Sequence, residues 1–510
     1  MCNQARRGPR PPTCPTDHDM DAIEAQRSVS APHDTRPRPT IGLREAVAVI
    51  VGVVIGAGIF KAPSLVASMS GGATAMFTLW IMGGLVSLIG ALCYAELTTS
   101  YPHAGGDYHY LHRAYGRSVA FLFGWARFSV ITTGSIALLG FVFGDYMQQA
   151  VPLSMLPAGW GSTVYAVAVI VGLSALNLRG IRTGTGTQTF LTVAEILGLL
   201  LIVGSAALFT DPAPAPAAGA TAAAASGPAT AALGMAMVFV LLTYGGWNEA
   251  AYISAEMRGG PRDMVKALTM GIVVITVLYL MVTWAYWKVL GMEGMSASEA
   301  VAADVMKVVF GPAGEKIISV LVAVSALTSI NATMIVGART SYAIGLDWKK
   351  LDRLAEWDSE RGTPTVAMTV QCVAALALVA TGAALGGGFK AMVEFTAPVF
   401  WLFFLLTGIA LFVLRRREPE RPRPYRVPLY PLLPAVFCIA CAGMLWSSLS
   451  YVSAQSLAGL NAAWIGVAVL AAGVLVLAPL LALQAGAHTG RRAQDGRAAP
   501  TETQAKENRR

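Results

Sequence analysis

The stretch Gly52-Val-Val-Ile-Gly-Ala-Gly-Ile-Phe60 lies in the first long apolar segment of the chain, where a membrane helix would normally run unbroken. Each glycine in a helix interior weakens the helix by about 1 kcal/mol relative to alanine. A turn that opens inside hydrocarbon also leaves backbone N–H and C=O groups that need partners. The stretch is therefore compatible with two structures. One is close helix packing through small residues. The other is a helix break that lines a cavity and binds a ligand.

The composition indicates a membrane protein. Of 510 residues, 55% are hydrophobic and only 13% are charged, whereas a soluble protein carries about a quarter charged residues. The mean hydropathy is +0.58, and apolar runs of about twenty residues recur, each long enough to span a bilayer. We therefore predict an all-α polytopic membrane protein with about 12 transmembrane helices. The predicted spans lie near 43–68, 74–99, 119–148, 161–178, 187–209, 231–256, 264–288, 315–343, 364–385, 391–414, 428–449 and 461–483.

The distribution of basic residues predicts the orientation. Arginine and lysine concentrate in the connections on the side of the N-terminal tail, including Arg113, Arg179, Arg262 and the run 415–417. Since such residues accumulate on the cytoplasmic side, both termini are expected in the cytoplasm of a plasma membrane, in this case a bacterial inner membrane. The net charge of +8 thus reflects topology, and no nucleic-acid partner is expected. Polar composition predicts disordered cytoplasmic tails at 1–40 and 485–510, and a flexible outward loop at 210–230.

A second glycine-containing interruption, Leu242-Thr-Tyr-Gly-Gly-Trp-Asn248, lies in the sixth predicted span. Spans 1 and 6 occupy corresponding positions if helices 1–5 (41–209) and 6–10 (231–414) form two repeats, with 415–484 adding helices 11 and 12. Paired interruptions at corresponding positions are typical of inverted-repeat transporters, which bind their substrate between the broken helices. The alternative is a coincidence of two glycine packing motifs.

Each break would expose backbone N–H and carbonyl groups that can bind a ligand. Free N–H groups near Ala57–Phe60 favour an anion such as a carboxylate. Carbonyls near Val54–Gly56 and Val240–Leu242 can accept hydrogen bonds from an ammonium group, and further N–H groups follow Gly245. A zwitterionic α-amino acid would satisfy both sets of dipoles without a formal protein charge.

Several motifs in the same order resemble the amino acid–polyamine–organocation (APC) superfamily, most closely its L-type amino acid transporter group. They are Gly56-Ala-Gly-Ile-Phe60, Gly106-Asp-Tyr-His-Tyr-Leu-His-Arg-Ala-Tyr-Gly116, Tyr244-Gly-Gly-Trp-Asn248, Pro261-Arg-Asp263, Asn331-Ala332 and Arg423-Pro-Tyr-Arg-Val-Pro-Leu-Tyr-Pro431. The resemblance covers about residues 41–480 and implies a five-plus-five inverted repeat of the leucine-transporter type, alternating access and amino acid transport. The substrate-binding residues expected from it and from the breaks are Ile55, Gly56, Ala57, Gly58, Ile59, Phe60, Leu242, Tyr244, Gly245, Gly246, Trp247 and Asn248.

The chain departs from this family pattern at three places. Ala57 replaces the usual serine, which removes a hydroxyl contact to the substrate carboxylate. Leu242 stands where many relatives have an aromatic gate, a role for which Phe239 and Tyr244 are the nearby substitutes. Mammalian L-type members bond a partner subunit through a cysteine in the outward loop between spans 3 and 4. Residues 149–160 contain no cysteine, so no disulfide-linked partner is expected.

Acidic and basic residues within the spans are candidates for coupling. Glu195 occupies a position where related carriers often have a lysine thought to replace a bound cation. Because burial disfavours the charged form of a carboxyl, Glu195 is a candidate carrier of a coupled proton, or a ligand that helps hold a cation. The alternative is a structural carboxyl bonded to a neighbouring helix. Glu249 either faces the cavity or caps the second half of span 6. Lys61 is expected to extend towards the outside, or to lie near a substrate carboxylate.

Other polar features receive simpler interpretations. Thr328, Ser329 and Asn331 in span 8 either line the cavity or form hydrogen bonds between helices. His109 and His112 share a helix face, and Cys438 and Cys441 have CxxC spacing, but membrane packing explains the cysteines better than metal or redox chemistry. No cofactor and no metal site is predicted.

The sequence therefore predicts a secondary active transporter for amino acids, neutral ones by preference, working as a proton symporter or an exchanger. A polyamine or cationic amino acid carrier is the alternative within transport, and it would need cavity carboxylates, for which Glu195 and Glu249 are the candidates. A non-transporting receptor or an enzyme is the alternative outside it. An enzyme should carry a catalytic set inside the spans, and no histidine lies in any predicted span.

Overall fold

The computed structural model describes residues 42–102, 106–157, 159–180, 185–209, 229–248, 259–358, 360–384, 388–453 and 465–479. In these ranges the regular structure is helical, apart from one isolated β-bridge between Asp358 and Thr363. The predicted tails 1–40 and 485–510 lie outside the described residues, and so does the part of the predicted outward loop at 210–228.

Fifteen α-helices follow one another along the described chain. They are α1 Leu43–Val54, α2 Ala62–Ser70, α3 Ala73–Ser100, α4 Gly106–Tyr115, α5 Arg117–Ala126, α6 Thr133–Ala150, α7 Trp160–Leu178, α8 Thr185–Phe209, α9 Ala229–Thr243, α10 Gly260–Ala297, α11 Val301–Asp347, α12 Thr365–Ala384, α13 Gly388–Arg417, α14 Leu432–Ser453 and α15 Ile465–Pro479. Short 3₁₀ segments cover Ala57–Phe60 and Lys349–Ala355, and a π-helix at Arg127–Thr132 joins α5 to α6.

Eight helical stretches of the described chain are long and apolar enough to cross a membrane. They are α3, the continuous α5–α6 rod, α7, α10, α11, α12, α13 and α14. Three shorter apolar helices lie in α8, α9 and α15. The predicted polytopic, all-helical class is therefore confirmed. Eleven of the twelve predicted spans overlap one of these helices, and the first, 43–68, coincides with the shorter α1 and α2.

Two of the long helices extend beyond the predicted spans because a glycine bends each of them. Gly291 in α10 has φ 69° and Gly311 in α11 has φ 67°. Glycine adopts such positive φ values at little cost because it lacks a Cβ. The connection between the two spans thus consists of short helical pieces, and Pro312 follows the second bend.

The helices that flank the first interruption pack closely on later ones. α10 packs against α1, α2 and α3, and α9 packs against α2. α6 packs against α7 and α11. Small residues permit the closest approaches, since a Cβ on Gly83 would overlap Val240 of α9 and one on Gly84 would overlap Thr276 of α10. This packing places the first interruption directly beside the second.

Candidate functional site

The first predicted break is present. α1 ends at Val54, Gly56 is extended with φ −140° and ψ −174°, and a 3₁₀ turn over Ala57–Phe60 leads into α2. The glycine at position 56 has no packing role, because a Cβ there would meet no atom within 4 Å. The structure therefore favours a break over the packing interpretation at Gly56.

The break leaves a row of free backbone donors. The N–H groups of Gly56, Ala57 and Gly58 donate to no acceptor in the described part of the chain, and the carbonyl of Ile55 accepts from no donor there. Unpaired backbone groups inside a membrane protein are costly unless a ligand or water satisfies them. Three consecutive donors beside an acceptor match the carboxylate and ammonium of an α-amino acid.

The second break begins where α9 ends, at Thr243, and continues as a turn through Asn248 with Gly246 at φ 106°. The carbonyls predicted to meet an ammonium group are partly used. Val240 accepts the Tyr244 N–H at 3.0 Å, and Leu242 accepts the Gly245 N–H at 3.0 Å. The carbonyl oxygens of Val240 and Leu242 each keep one lone pair for a further donor. Glu249 and the predicted second half of span 6 lie outside the described residues.

The two breaks meet. A Cβ on Gly58 would contact the Thr243 side chain at 3.4 Å. Tyr279 of α10, which is fully buried, links them from a third element. Its hydroxyl lies 3.0 Å from the carbonyl of Val54 and 3.2 Å from the carbonyl of Thr243. Sequence reasoning missed Tyr279, since a lone tyrosine in an apolar span carries no signal of what it contacts.

The aromatic residues of the second break are placed differently from one another. Tyr244 is buried against α3 and α10: its hydroxyl donates to the Trp80 carbonyl at 3.1 Å, and its ring centroid lies 5.2 Å from that of Tyr279. Trp247 instead lines a small, mainly aromatic cavity between α3, the second break, α13 and α14. The other lining residues are Val86, Ser87, Leu241, Gly245, Phe400, Trp401, Phe404 and Phe437.

The remaining predicted site residues lie around the two breaks. Ile55, Ala57, Ile59 and Phe60 are buried, and Phe60 meets the ring of Tyr146 of α6 edge-on at 6.5 Å. Leu242 is partly buried against the core, and Asn248 is buried at the end of the described turn. Phe239, a substitute considered for the aromatic gate, stacks on Phe389 of α13 with ring centroids 6.3 Å apart.

Glu195 is buried on α8 and accepts a hydrogen bond from Ser325 of α11 at 2.7 Å. α8 also packs against α10, the helix that carries Tyr279. Ser325 is the one side chain of the described residues that donates to this carboxyl. Glu195 is thus bonded to a neighbouring helix, and its role in coupling stays a prediction.

The position of Lys61 differs from the prediction that its side chain extends towards the outside. Its side chain does not extend to the outside but is only 10% exposed, and Nζ lies 2.6 Å from Oδ2 of Asp145. A carboxylate supplied by α6 satisfies the ammonium group inside the protein, so Lys61 needs neither water nor a substrate carboxylate.

Two polar residues elsewhere in the spans have polar partners, one on another helix and one on the same helix. Asn331 of α11 accepts a hydrogen bond from Asn177 of α7 at 2.7 Å, which favours interhelical bonding over a cavity role. Glu394 pairs with Lys390, one turn earlier in the same helix, at 3.8 Å. The ranges that the structure describes hold no group of three His, Cys, Asp or Glu side chains placed to bind a metal ion.

Comparisons with known proteins show the family to which the chain is similar. The model of a family described as "Amino acid permease" matches residues 41–484. The Serine/threonine exchanger SteT of Bacillus subtilis (strain 168) is 27% identical over 414 residues, which is 79% of this chain and 89% of that protein. The b(0,+)-type amino acid transporter 1 of Homo sapiens is 29% identical over 413 residues, 81% of this chain and 82% of the relative. The Large neutral amino acids transporter small subunit 2 of Homo sapiens is 27% identical over 418 residues, which is 80% of this chain and 75% of that protein.

Proposed function

This chain belongs to the amino acid permease family of the APC superfamily, and we propose that it is a secondary active transporter that moves neutral amino acids by alternating access, as a proton symporter or an exchanger. Membrane transport of amino acids follows from the family, whose members are transporters and not enzymes. The preference for neutral substrates, the coupling and the mechanism are the proposal.

The proposed architecture has 12 spans, counting the interrupted α1–α2 and α9 as spans 1 and 6, in a five-plus-five inverted repeat. Residues 41–209 form the first repeat, 231–414 the second, and 415–484 helices 11 and 12. The proposed location is a plasma membrane of bacterial inner-membrane type with both termini cytoplasmic, and no disulfide-linked partner subunit is proposed.

The observation that carries the proposal is the row of free N–H groups at Gly56, Ala57 and Gly58 beside the free carbonyl of Ile55. In the proposed mechanism the substrate carboxylate binds these donors. The ammonium group binds the Ile55 carbonyl and the carbonyls at the end of α9. Because Ala57 has no hydroxyl, recognition of the carboxylate depends on backbone dipoles alone.

Transport requires this site to open to each side in turn. Spans 1, 2, 6 and 7 (α1–α3, α9 and α10) rock as one bundle against α6, α7, α11 and α12. The close packing of α10 on α1, α2 and α3 supports their movement as a unit.

Glu195 is the proposed coupling residue. Two observations support this role: its buried carboxyl accepts from Ser325, and α8 packs against α10, whose Tyr279 bonds to both breaks. The alternative substrate class, polyamines or cationic amino acids, would use the same carboxylate as a counter-ion.

Counterflow in proteoliposomes tests the proposal. Vesicles loaded with one amino acid should accumulate the same labelled amino acid against its gradient, and the uptake should saturate. The panel should begin with serine, threonine and large neutral amino acids, and should include lysine, arginine and putrescine. Uptake that neither saturates nor shows counterflow would instead point to a channel, and counterflow restricted to the cationic compounds would establish the alternative.

A further inference from the structure

Lys61 and Asp145 form the centre of a cluster that joins four separate segments. Lys61 lies between the 3₁₀ turn of the first break and α2, and its Nζ contacts Asp145 Oδ2 of α6 at 2.6 Å. The same Nζ donates to the carbonyl of Glu299, between α10 and α11, at 2.5 Å. Oδ1 of Asp145 accepts from the Ser162 hydroxyl of α7 at 2.5 Å.

A second contact runs parallel to this ion pair, one residue away on each element. The Tyr146 hydroxyl donates to the Phe60 carbonyl at 2.6 Å, and the Ala302 N–H donates to the Tyr146 oxygen at 3.4 Å. The consecutive residues 60 and 61 are thus held to the consecutive residues 145 and 146. The outer half of span 1 is therefore held to α6 at two adjacent positions.

The cluster lies between the first break and the end of α6, which is the route from the proposed site to the outer face. Lys61 directly follows the 3₁₀ turn at the first break. Asp145 lies five residues before the end of α6 at Ala150, a rise of about 8 Å. The side chains of Lys61 and Asp145 are only 10% and 16% exposed, so water hardly screens their attraction.

We propose that Lys61 and Asp145 form an outer latch, an ion pair that closes the external entrance while joined and must separate before the site opens outward. This inference rests on the proposed alternating access, in which α2 moves with the bundle and α6 does not. Asp145 is then a positioning residue: it acts on the substrate site through Lys61. Ser162 and the Glu299 carbonyl hold the two partners in place.

Weakening the latch should shift the population towards outward-open molecules, and access from outside measures that shift. A cysteine introduced by Gly56→Cys reports access to the break, because a side chain at that position enters open space. Labelling by a membrane-impermeant maleimide is measured in sealed right-side-out vesicles. The chain without the introduced cysteine gives the background from the native thiols.

We expect Asp145→Asn to raise the labelling rate at least fivefold, and Ser162→Ala to raise it at least twofold without leaving a charge unpaired. The exchange of charges, Lys61→Asp with Asp145→Lys, should return the rate to within twofold of the parent. Lys307→Met is the matched control. It breaks an ion pair with Glu315 within α11, and it should leave the rate unchanged.

Equal labelling rates in the parent and in both single variants would overturn the latch, and so would an equal increase in the Lys307→Met control. A charge exchange that labels as fast as Asp145→Asn would also overturn it. Labelling requires no transport, so a wild-type chain, without the introduced cysteine, that lacks counterflow would refute the proposed function while the labelling still reports on the latch.

Discussion

The Tyr279 hydroxyl lies 3.0 Å from the carbonyl of Val54, although 225 positions separate the two residues in the chain. The same hydroxyl is 3.2 Å from the carbonyl of Thr243. Because it carries one proton, it cannot satisfy both carbonyls fully. An ammonium group, which has three donors, could complete the set. Tyr279 therefore links the ends of the two broken helices.

Replacing Tyr279 by phenylalanine should weaken substrate binding while the protein still folds. The loss of one net hydrogen bond is worth about 1 kcal/mol, so we expect the apparent KM to rise roughly five- to tenfold. Transport kinetics and the thermal unfolding temperature check this in the same preparation. Tyr165→Phe is a suitable control, since its exposed hydroxyl bonds to the Val151 carbonyl just after α6 and contacts neither break. An unchanged KM in Tyr279→Phe would show that the link does not shape the site.

Ala57 tests whether the free N–H groups bind the carboxylate. Ala57 is only 1% exposed, so Ala57→Val should crowd the break and reduce substrate affinity at least tenfold while membrane insertion stays normal. Ala57→Ser should restore a side-chain donor and raise the affinity. Normal transport by Ala57→Val would place the carboxylate elsewhere.

Glu195→Gln tests proton coupling. The amide keeps the shape of the carboxyl and can still accept from Ser325, but it cannot release a proton. If Glu195 carries the coupled proton, uptake by the variant should no longer respond to an imposed pH gradient, while exchange at equal pH persists. Ser325→Ala is the matched control, because it removes the hydrogen bond and leaves the carboxyl. Gradient dependence that survives in Glu195→Gln would make the residue structural.

Glu96 at the end of α3 anchors the connection between α13 and α14. Its carboxylate is bound by Arg415 through two nitrogens, accepts the Val427 N–H at 2.7 Å, and lies 3.7 Å from Arg423. Breaking a buried ion pair by removing one partner costs about 3–5 kcal/mol. We therefore expect Glu96→Gln to lower the unfolding temperature strongly in detergent. Glu420→Gln, at an exposed position on the same connection, should have little effect.

The ion pair between Arg113 and Glu418, which lies outside the spans, predicts that stability depends on pH. Hydrogen bonds donated by Arg113 hold the pKa of the Glu418 carboxyl below its ordinary value. A depressed folded-state pKa contributes stability above the unfolded-state pKa of about 4.3, and that stability is lost as the pH falls through the folded-state value. The gap in unfolding temperature between the wild type and Glu418→Gln should thus be constant from pH 6 to 8 and close under acid conditions. The gap should be small, since exposed pairs contribute about 1 kcal/mol or less. A gap that widens on acidification would contradict the assignment.

The sequence by itself determined the class of the protein and the location of the first break. Long apolar runs have to form helices, since hydrocarbon offers no partners for backbone groups. Glycines at 56 and 58 weaken the helix locally, and α1 indeed ends at Val54. The motifs also led to the correct family, because their order along the chain requires no knowledge of contacts.

Only the tertiary structure decided which distant groups meet. No local pattern shows that Tyr279 lies between the carbonyls of Val54 and Thr243. None shows that Asp145 supplies the counter-ion that keeps Lys61 from extending outward. Such pairs depend on how α10 and α6 pack on the first span, and packing between helices is set by side chains that are far apart in sequence. The sequence thus located the interrupted helices, and the packing of the neighbouring helices decided how their exposed backbone groups and charges are satisfied.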